Sequence, residues 1–322
     1  MDTLFTYFYD QVPRIEKCLQ EEIQDLSPLV RPVARHILNA GGKRLRPVLC
    51  VLVAQALDFR EESVYPLASA LELIHSATLL HDDVLDNASL RRGQTTAHLL
   101  FGLKETILAG DALLARANQI VTRYEDISLM ACFSEAIYQT ALGEILEIEK
   151  MKQATLSFEE YLEIIVGKTG YLIQTCCQSG AILAQQSEVY QNLAGSFGRN
   201  LGIAFQLVDD ALDYSFGHDA TGKPLGGDLR EGKLTLPLIL FLQKQDKATQ
   251  QELLSKIKER QLTEKEHQWI VNQVKNNEIV HSTRQVAQVY LDKAMQALEQ
   301  FPGSSERDLL ESVLSYIQTR EN

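Results

Sequence analysis

The chain has 322 residues, 45% of them hydrophobic and 23% charged, with 43 acidic against 31 basic side chains and a net charge of −12. That length and apolar content suit one soluble globular domain, 1–322, with a sizeable core. The acidic excess argues against a nucleic-acid partner, which needs a basic surface, but it allows a phosphorylated substrate held by metals and a few placed cations.

The N-terminus, MDTLFTYFYDQVPR, has acids where a secretory signal needs basic residues ahead of an apolar run. From there apolar residues recur at three- and four-residue intervals with no convincing strand alternation, which predicts an all-α chain. Helices are expected near 12–25, 29–40, 45–57, 62–86, 104–123, 127–150, 158–166, 168–184, 187–216, 232–244, 247–258, 263–275, 278–299 and 305–319. Breaks are expected at SPL, GGKRLRP, Asn87–Gly93 and FPGSS. The longest irregular stretch, Gly217–Gly232, is rich in glycine; it reads as a mobile flap over a site or as a plain surface connection. Runs such as VLCVLVAQAL and LTLPLILFL fall well short of the roughly twenty residues of a transmembrane helix. Cys18, Cys50, Cys132, Cys176 and Cys177 have no zinc or CxxC spacing and sit in apolar segments. They read as core residues of a protein in a reducing cytoplasm.

Two acidic triplets dominate the pattern. Asp82, Asp83 and Asp86 in LLHDDVLD, and Asp209, Asp210 and Asp213 in QLVDDALD, share the spacing i, i+1, i+4 and close apolar helical stretches. On a helix, i and i+4 share a face and i+1 lies beside them. Helix C-termini are negative, so three acids there call for a cation. Mg²⁺ suits them, because it takes oxygen ligands and bridges carboxylates to phosphates. One triplet alone reads first as a solvated acidic face; two copies, each ending an apolar run, reverse that preference and favour the metal. Parallel packing of the two long helices would bring the triplets face to face.

The basic side is more scattered. GGKRLRP opens a helix with Lys43, Arg44 and Arg46, a setting suited to an oxyanion. Arg91 and Arg92 follow the first acidic helix, and adjacent arginines can serve two anions. Lys168, Lys223 and Lys233 are further cations, and GKTG lacks the spacing and the preceding strand of a Walker motif. His75 lies two turns before Asp82 and reads as a core histidine or as an anion donor.

Taken in order, GGKRLRP, ELIHSATLLHDDVLD, RRGQTTAH, GKTG, FQLVDDALD and GDLREGKLTLPL resemble the trans-isoprenyl diphosphate synthase family. The resemblance runs from Gly41 to Lys233; the later helices carry no usable motif. It implies an isoprenoid-synthase-like bundle of mostly antiparallel helices around a deep central cavity, usually a homodimer. It implies three Mg²⁺ ions on Asp82, Asp86 and Asp209, with Asp83, Asp210 and Asp213 contributing directly or through water. On the same footing Arg91, Lys168 and Lys233, joined by Lys223, hold the diphosphate of an allylic substrate such as geranyl or farnesyl diphosphate. Lys43, Arg46, His75 and Arg92 hold that of isopentenyl diphosphate. Thr169 and Gln206 match polar positions near the developing cation, and Glu144 and Glu147 of GEILEIE match positions behind them. No protein nucleophile is required.

In this family a bulky aromatic just ahead of the first aspartates stops chain growth early. Here those positions are Ala77 and Thr78, with Ile74, Leu73 and Ala70 further back. Phe133, about four turns before Glu147, reads as a floor some 21 Å down or as an ordinary core residue. With no insertion inside the first triplet, the expectation is a long-chain, octaprenyl-like product. Its alternatives are a short-chain geranylgeranyl or farnesyl synthase, and a non-catalytic subunit of a heteromeric enzyme. A terpene cyclase would not usually keep the second triplet or Lys43, Arg46 and Arg92. The protein is expected in the cytoplasm, at most peripheral to a membrane for product release.

Overall fold

The computed structural model describes residues 2–151, 155–215, 225–276 and 278–320, and over them the chain is all-α. Lys223 and the first half of the anticipated flap, 217–224, lie outside the described residues.

The elements form two compact units. The first takes Met1–Ile137, Thr175–Gly195 and Gln300–Ser312. It opens with α1 (Asp2–Gln24), ten residues longer at its start than the sequence predicts. Pro13 lies inside the helix. Its cost is reduced because Tyr9, whose carbonyl it deprives of a donor, is 81% exposed and open to water. Leu4, Gln11, Ile15, Leu19 and Ile23 form the buried stripe. Next come α2 (Arg31–Asn39), α3 (Leu45–Ala56) and α4 (Val64–Leu85), with α4 packed on α1, α3 and the later α6 (Leu103–Thr122). So enclosed, α4 is apolar nearly all round, with Leu67, Leu71, Leu73, Ile74, Ala77 and Leu80 fully buried.

After α4 the chain makes a hairpin that the periodicity does not announce. β1 (Leu90–Arg91) pairs antiparallel with β2 (Gln94–Thr95), in the register Leu90↔Thr95 and Arg91↔Gln94. The connecting residues Arg92 and Gly93 have φ of 51° and 77°. Two positive φ values in a two-residue loop match the twist of a tight hairpin, and strands this short leave no alternation to read. A short α5 (Ala97–Phe101) leads into α6.

The second unit takes Tyr138–Gln174, Ser196–Glu299 and Val313–Asn322. Of α7 (Ile127–Lys150) it holds the later part, followed by α8 (Phe158–Ile165). Ser157 and Glu160 start α8 with a reciprocal capping box. No break separates α8 from α9 (Tyr171–Leu183); the join is a π-helical turn, Val166–Gly170. Then come α10 (Glu188–Leu212), α11 (Gly227–Glu231), α12 (Leu236–Gln243), α13 (Lys247–Lys258), α14 (Glu264–Asn276), α15 (Ile279–Leu298) and α16 (Ser305–Thr319); α9 from Thr175, α10 up to Gly195 and α16 up to Ser312 belong to the first unit. Packed against α8, α14 and α15, α12 brings Leu238 and Phe241 into a core with Tyr214, Ile257 and Ile270.

The π turn lies against α7 at two glycines. A Cβ on Gly143 would stand 2.6 Å from the Lys168 amide nitrogen, and one on Gly167 would stand 2.7 Å from Gly143 Cα. Neither backbone can approach so closely if either residue carries a side chain. Gly143→Ala is therefore expected to cost about 1–3 kcal/mol through overpacking, read as a lower urea midpoint. An unchanged midpoint would mean that this contact does not hold the turn.

Candidate active site

In the first unit, His75, Thr78, Asp82 and Asp86 fall at i, i+3, i+7 and i+11 along α4 and its C-cap, and all four are half-buried. This line is one accessible stripe of the helix; Leu79, His81 and Val84 are also half-buried, and Leu85 is exposed at its end. Asp83 lies off it, 1% exposed, and Arg91 Nε donates to its Oδ1 at 2.6 Å. Burial raises the Asp83 pKa, and Arg91 only partly offsets it. The chain reverses just after α4, at Asn87 with φ 51° and Ala88, whose amide donates to the Asp83 carbonyl at 2.9 Å, and this brings Arg91 back beside the helix. A guanidinium has five N–H donors, so one contact leaves Arg91 able to bind an anion as well.

The cations of GGKRLRP separate by direction. Arg44, at φ 49°, turns inward to Glu16 at 2.6 Å, Glu72 at 2.7 Å and the Leu38 carbonyl at 2.6 Å. Fully partnered in the core, it has a structural role. Lys43 is exposed, and Arg46 donates from Nη1 to His75 Nε2 at 3.1 Å. Burial, then the charges of Arg46, Arg92, Arg91 and Arg44, push the His75 pKa well below its ordinary value. The ring is therefore neutral, with Nε2 accepting and the proton on Nδ1. The Arg92 guanidinium lies against Gly42, where a Cβ would be 2.7 Å from Nη1. Desolvation lowers its pKa; Glu72 opposes this, and Arg44, Arg91 and Arg46 add to it. A group of cations that depress one another's protonation is a place for an anion.

In the second unit α10 repeats the arrangement of α4. Gln206, Asp209 and Asp213 are half-buried, while Asp210 is 2% exposed. Tyr161 donates to Asp210 Oδ2 at 2.5 Å and Gln206 Nε2 to Oδ1 at 2.8 Å. Thr169 Oγ1 donates to Gln206 Oε1 at 3.0 Å, extending the relay to the π turn. Burial pushes the Asp210 pKa up to about 7, with its two donors opposing. Asp209 pairs with Arg320, which also lies 5.1 Å above the Phe205 ring. Asp213 caps α11, accepting from the Gly227 and Asp228 amides, each at 3.1 Å. Asp228 joins the same charge cluster: burial, then Asp210 and Asp213, raise its pKa well above the carboxylate range. Lys233 pairs with Glu231 at 2.7 Å, and its amide donates to the Asp228 carbonyl at 2.9 Å.

Where the glycines admit the π turn, Lys168 reaches Glu144 at 2.8 Å and Glu147 at 2.5 Å. Burial works to lower its pKa, but Glu147 and Glu144 outweigh it and the net shift is upward. Lys168 is a permanent cation. Of the expected length-setting residues, Ile74, Ala77 and Phe133 are completely enclosed, as are Leu73 and Ala70. Thr78 is on the accessible stripe, its hydroxyl donating to the His75 carbonyl at 2.8 Å.

Among the described residues, no three His, Cys, Asp or Glu side chains converge to enclose an ion by themselves. The donors are hard carboxylate oxygens on accessible helix faces. They fit a cation such as Mg²⁺, which takes one or two carboxylates and fills its shell with water and phosphate oxygens.

Residues 27–274 match the polyprenyl synthetase family. The chain belongs to that family. It is 32% identical over 317 residues to heptaprenyl diphosphate synthase component 2 of Bacillus subtilis, covering 98% of this chain and 90% of that one. It is 33% identical over 299 residues to the octaprenyl diphosphate synthase of Escherichia coli, covering 92% and 91%. A crystal structure of a Caulobacter crescentus polyprenyl synthase, complexed with calcium and isoprenyl diphosphate, superposes with a TM-score of 0.93 at 34% identity, over 100% of this chain and 98% of that one. The family resemblance read from the motifs and the all-α fold are both borne out.

Tyr161, Asp228 and Arg320 escaped the sequence reading. Asp228 lies within a quoted motif, and its nearness to a lysine was the available signal. Tyr161 and Arg320 act across the fold and leave no local pattern.

The raised pKa of Asp210 has a consequence for stability. A carboxyl whose folded pKa exceeds its unfolded value favours the folded state most below the unfolded pKa, and loses that contribution as pH rises through the folded pKa. Metal-free protein should lose melting temperature between about pH 4 and about pH 7, the range set by Asp210. Asp210→Asn should flatten that fall, and an identical slope in the variant would remove Asp210 as its source.

Proposed function

We propose that this polyprenyl synthetase joins isopentenyl diphosphate head to tail onto an allylic diphosphate, geranyl or farnesyl. The step repeats to give a long-chain, octaprenyl-like all-trans polyprenyl diphosphate. The chain is a prenyltransferase, and the observation that carries the reading is the duplicated acidic helix. In each copy the outer acids lie on an accessible stripe, while protein donors anchor the middle acid.

Mg²⁺, expected as three ions on Asp82, Asp86 and Asp209, with Asp83, Asp210 and Asp213 directly or through water, would neutralise charge on the departing diphosphate. Arg91, Lys168 and Lys233, with Lys223, hold the allylic diphosphate and stabilise it as it leaves. Lys43, Arg46 and Arg92 hold the diphosphate of isopentenyl diphosphate. His75, neutral and accepting from Arg46, orients that arginine. The oxygens of Thr169 and Gln206 favour the allylic cation that the isopentenyl double bond attacks. Released diphosphate takes the proton then lost from the new chain. Apolar walls keep out the water that would quench the cation.

The match to one family draws on segments of both units, which supports treating 1–322 as one catalytic domain. Leu103 and Leu108 on α6, and Ile127, Tyr138 and Ile145 on α7, are exposed apolar residues that support a homodimer. No helix among the described residues is long and apolar enough to cross a membrane. This agrees with a cytoplasmic enzyme, peripheral at most when releasing product. The name of the Bacillus relative, component 2, favours a second reading in which this chain works as one part of a heteromeric enzyme.

Purified chain incubated alone with farnesyl diphosphate, labelled isopentenyl diphosphate and Mg²⁺ should release diphosphate and yield products longer than geranylgeranyl. A product stopping at geranylgeranyl would remove the long-chain reading, and no diphosphate release without a partner would favour the heteromeric one. Thr78→Phe should shorten the product sharply, and Ala77→Phe less, since Ala77 is enclosed; unchanged length with Thr78→Phe would show that this stretch of α4 does not face the growing chain.

Gly42→Ala places a Cβ 2.7 Å from Arg92 Nη1 at a φ of +145°, so the arginine or the loop has to move. The KM for isopentenyl diphosphate should rise about tenfold, the scale of one charge-assisted contact, with the allylic KM unchanged. Equal changes in both constants would argue against Arg92 in this role.

A further inference from the structure

His267 lies on α14, among the helices that carry no recognisable motif, and is 4% exposed. Its Nε2 is 3.0 Å from the carbonyl oxygen of Gly226. A carbonyl only accepts, so Nε2 carries the proton and donates. Gly226 is the residue at which the chain turns into α11. It has φ +69°, and its amide donates to the Asp213 carbonyl at 2.9 Å. The next two amides, of Gly227 and Asp228, donate to the Asp213 carboxylate. The Asp228 carbonyl in turn accepts from the Lys233 amide at 2.9 Å. The segment carrying Asp228 and Lys233 is thus tied to α10 by Asp213 and to α14 by His267. The fit is close: a Cβ on Gly226 would stand 2.7 Å from Val271 Cγ2 and 3.1 Å from His267 Cε1.

We propose that His267 is a positioning residue for the allylic-diphosphate side of the site, fixing Gly226 so that Asp228 and Lys233 are presented beside the second acidic cluster. The inference rests on the role given above to Lys233. His267 touches no reacting group. It sets where the segment stands after Asp213 has capped it, and without its donor the buried Gly226 carbonyl keeps only the Arg230 amide of α11, at 3.1 Å.

The test compares His267→Phe, which keeps a flat ring and loses the donor, with His267→Gln, whose amide nitrogen reaches where Nε2 did. The KM for farnesyl diphosphate and the Mg²⁺ concentration at half-maximal rate should each rise about fivefold in His267→Phe, the scale of one lost hydrogen bond. The KM for isopentenyl diphosphate should stay unchanged, since its proposed cations belong to the other unit. His267→Gln should recover most of the loss. Gly226→Ala, which crowds the same contact, should reproduce the signature and serves in place of His267→Phe if that variant does not fold. A fall in kcat and melting temperature with both substrate constants unmoved would overturn the proposal, leaving a merely structural histidine. So would a wild-type farnesyl diphosphate KM in both His267→Phe and Gly226→Ala. Lys233→Ala is the control for the underlying reading. If it leaves the farnesyl diphosphate KM alone, the role of Lys233 fails; if it raises that constant and the His267 variants do not, only the positioning role fails.

Discussion

The burial of one aspartate in each triplet governs how both acidic helices present themselves. The i+1 acid of an i, i+1, i+4 set cannot share the accessible stripe, so Asp83 and Asp210 lie inside, 1% and 2% exposed. A buried carboxylate without donors is costly, and each helix answers differently. The first uses a cation, Arg91, brought back by the turn at Asn87 and Ala88. The second uses two neutral donors, Tyr161 and Gln206. The cation does not abolish the burial cost, since the Asp83 pKa is still raised, and the neutral donors leave Asp210 up at about 7. Both anchors fix the rotation of their helix, and that rotation aims the outer acids.

The same economy explains why one basic motif yields different roles. Arg44 and Arg46 are two residues apart at the start of a helix, so they point to different sides. Arg44 meets Glu16 and Glu72 and is used up in the core; Arg46 meets a neutral histidine, which accepts a hydrogen bond but cancels no charge. Arg92 adds another cation beside Gly42. The contrast lies in the partners, so an arginine count would have placed all three together. A cationic cluster whose nearest ring is kept neutral retains its charge for an incoming anion.

The helices were legible because apolar periodicity survives in most of them, α10 among them, and the triplets were legible because their spacing is itself the chemistry. What stayed hidden depends on contacts far apart in sequence. Nothing near Tyr161 says that its hydroxyl reaches Asp210, and nothing near His267 says that it faces Gly226. The hairpin at Leu90–Thr95 was missed because its strands are two residues long, and α11 because five residues carry no period. The first ten residues of α1 were missed, although Leu4 and Gln11 continue the buried stripe of Ile15, Leu19 and Ile23.

The accessible stripe of α4 also bears on how product length is set. His75, Thr78, Asp82 and Asp86 share it, whereas Ala77 and Ile74 are enclosed by packing. A side chain can limit a growing hydrocarbon only where the chain reaches it. Thr78 meets that condition directly, one turn behind Asp82. Ala77 and Ile74 meet it only if their packed neighbours part as the product lengthens. Close-packed interiors resist such parting. The small volume of Ala77 is then a statement about how easily that region yields, and Thr78 is the position at which a larger side chain would meet the product first.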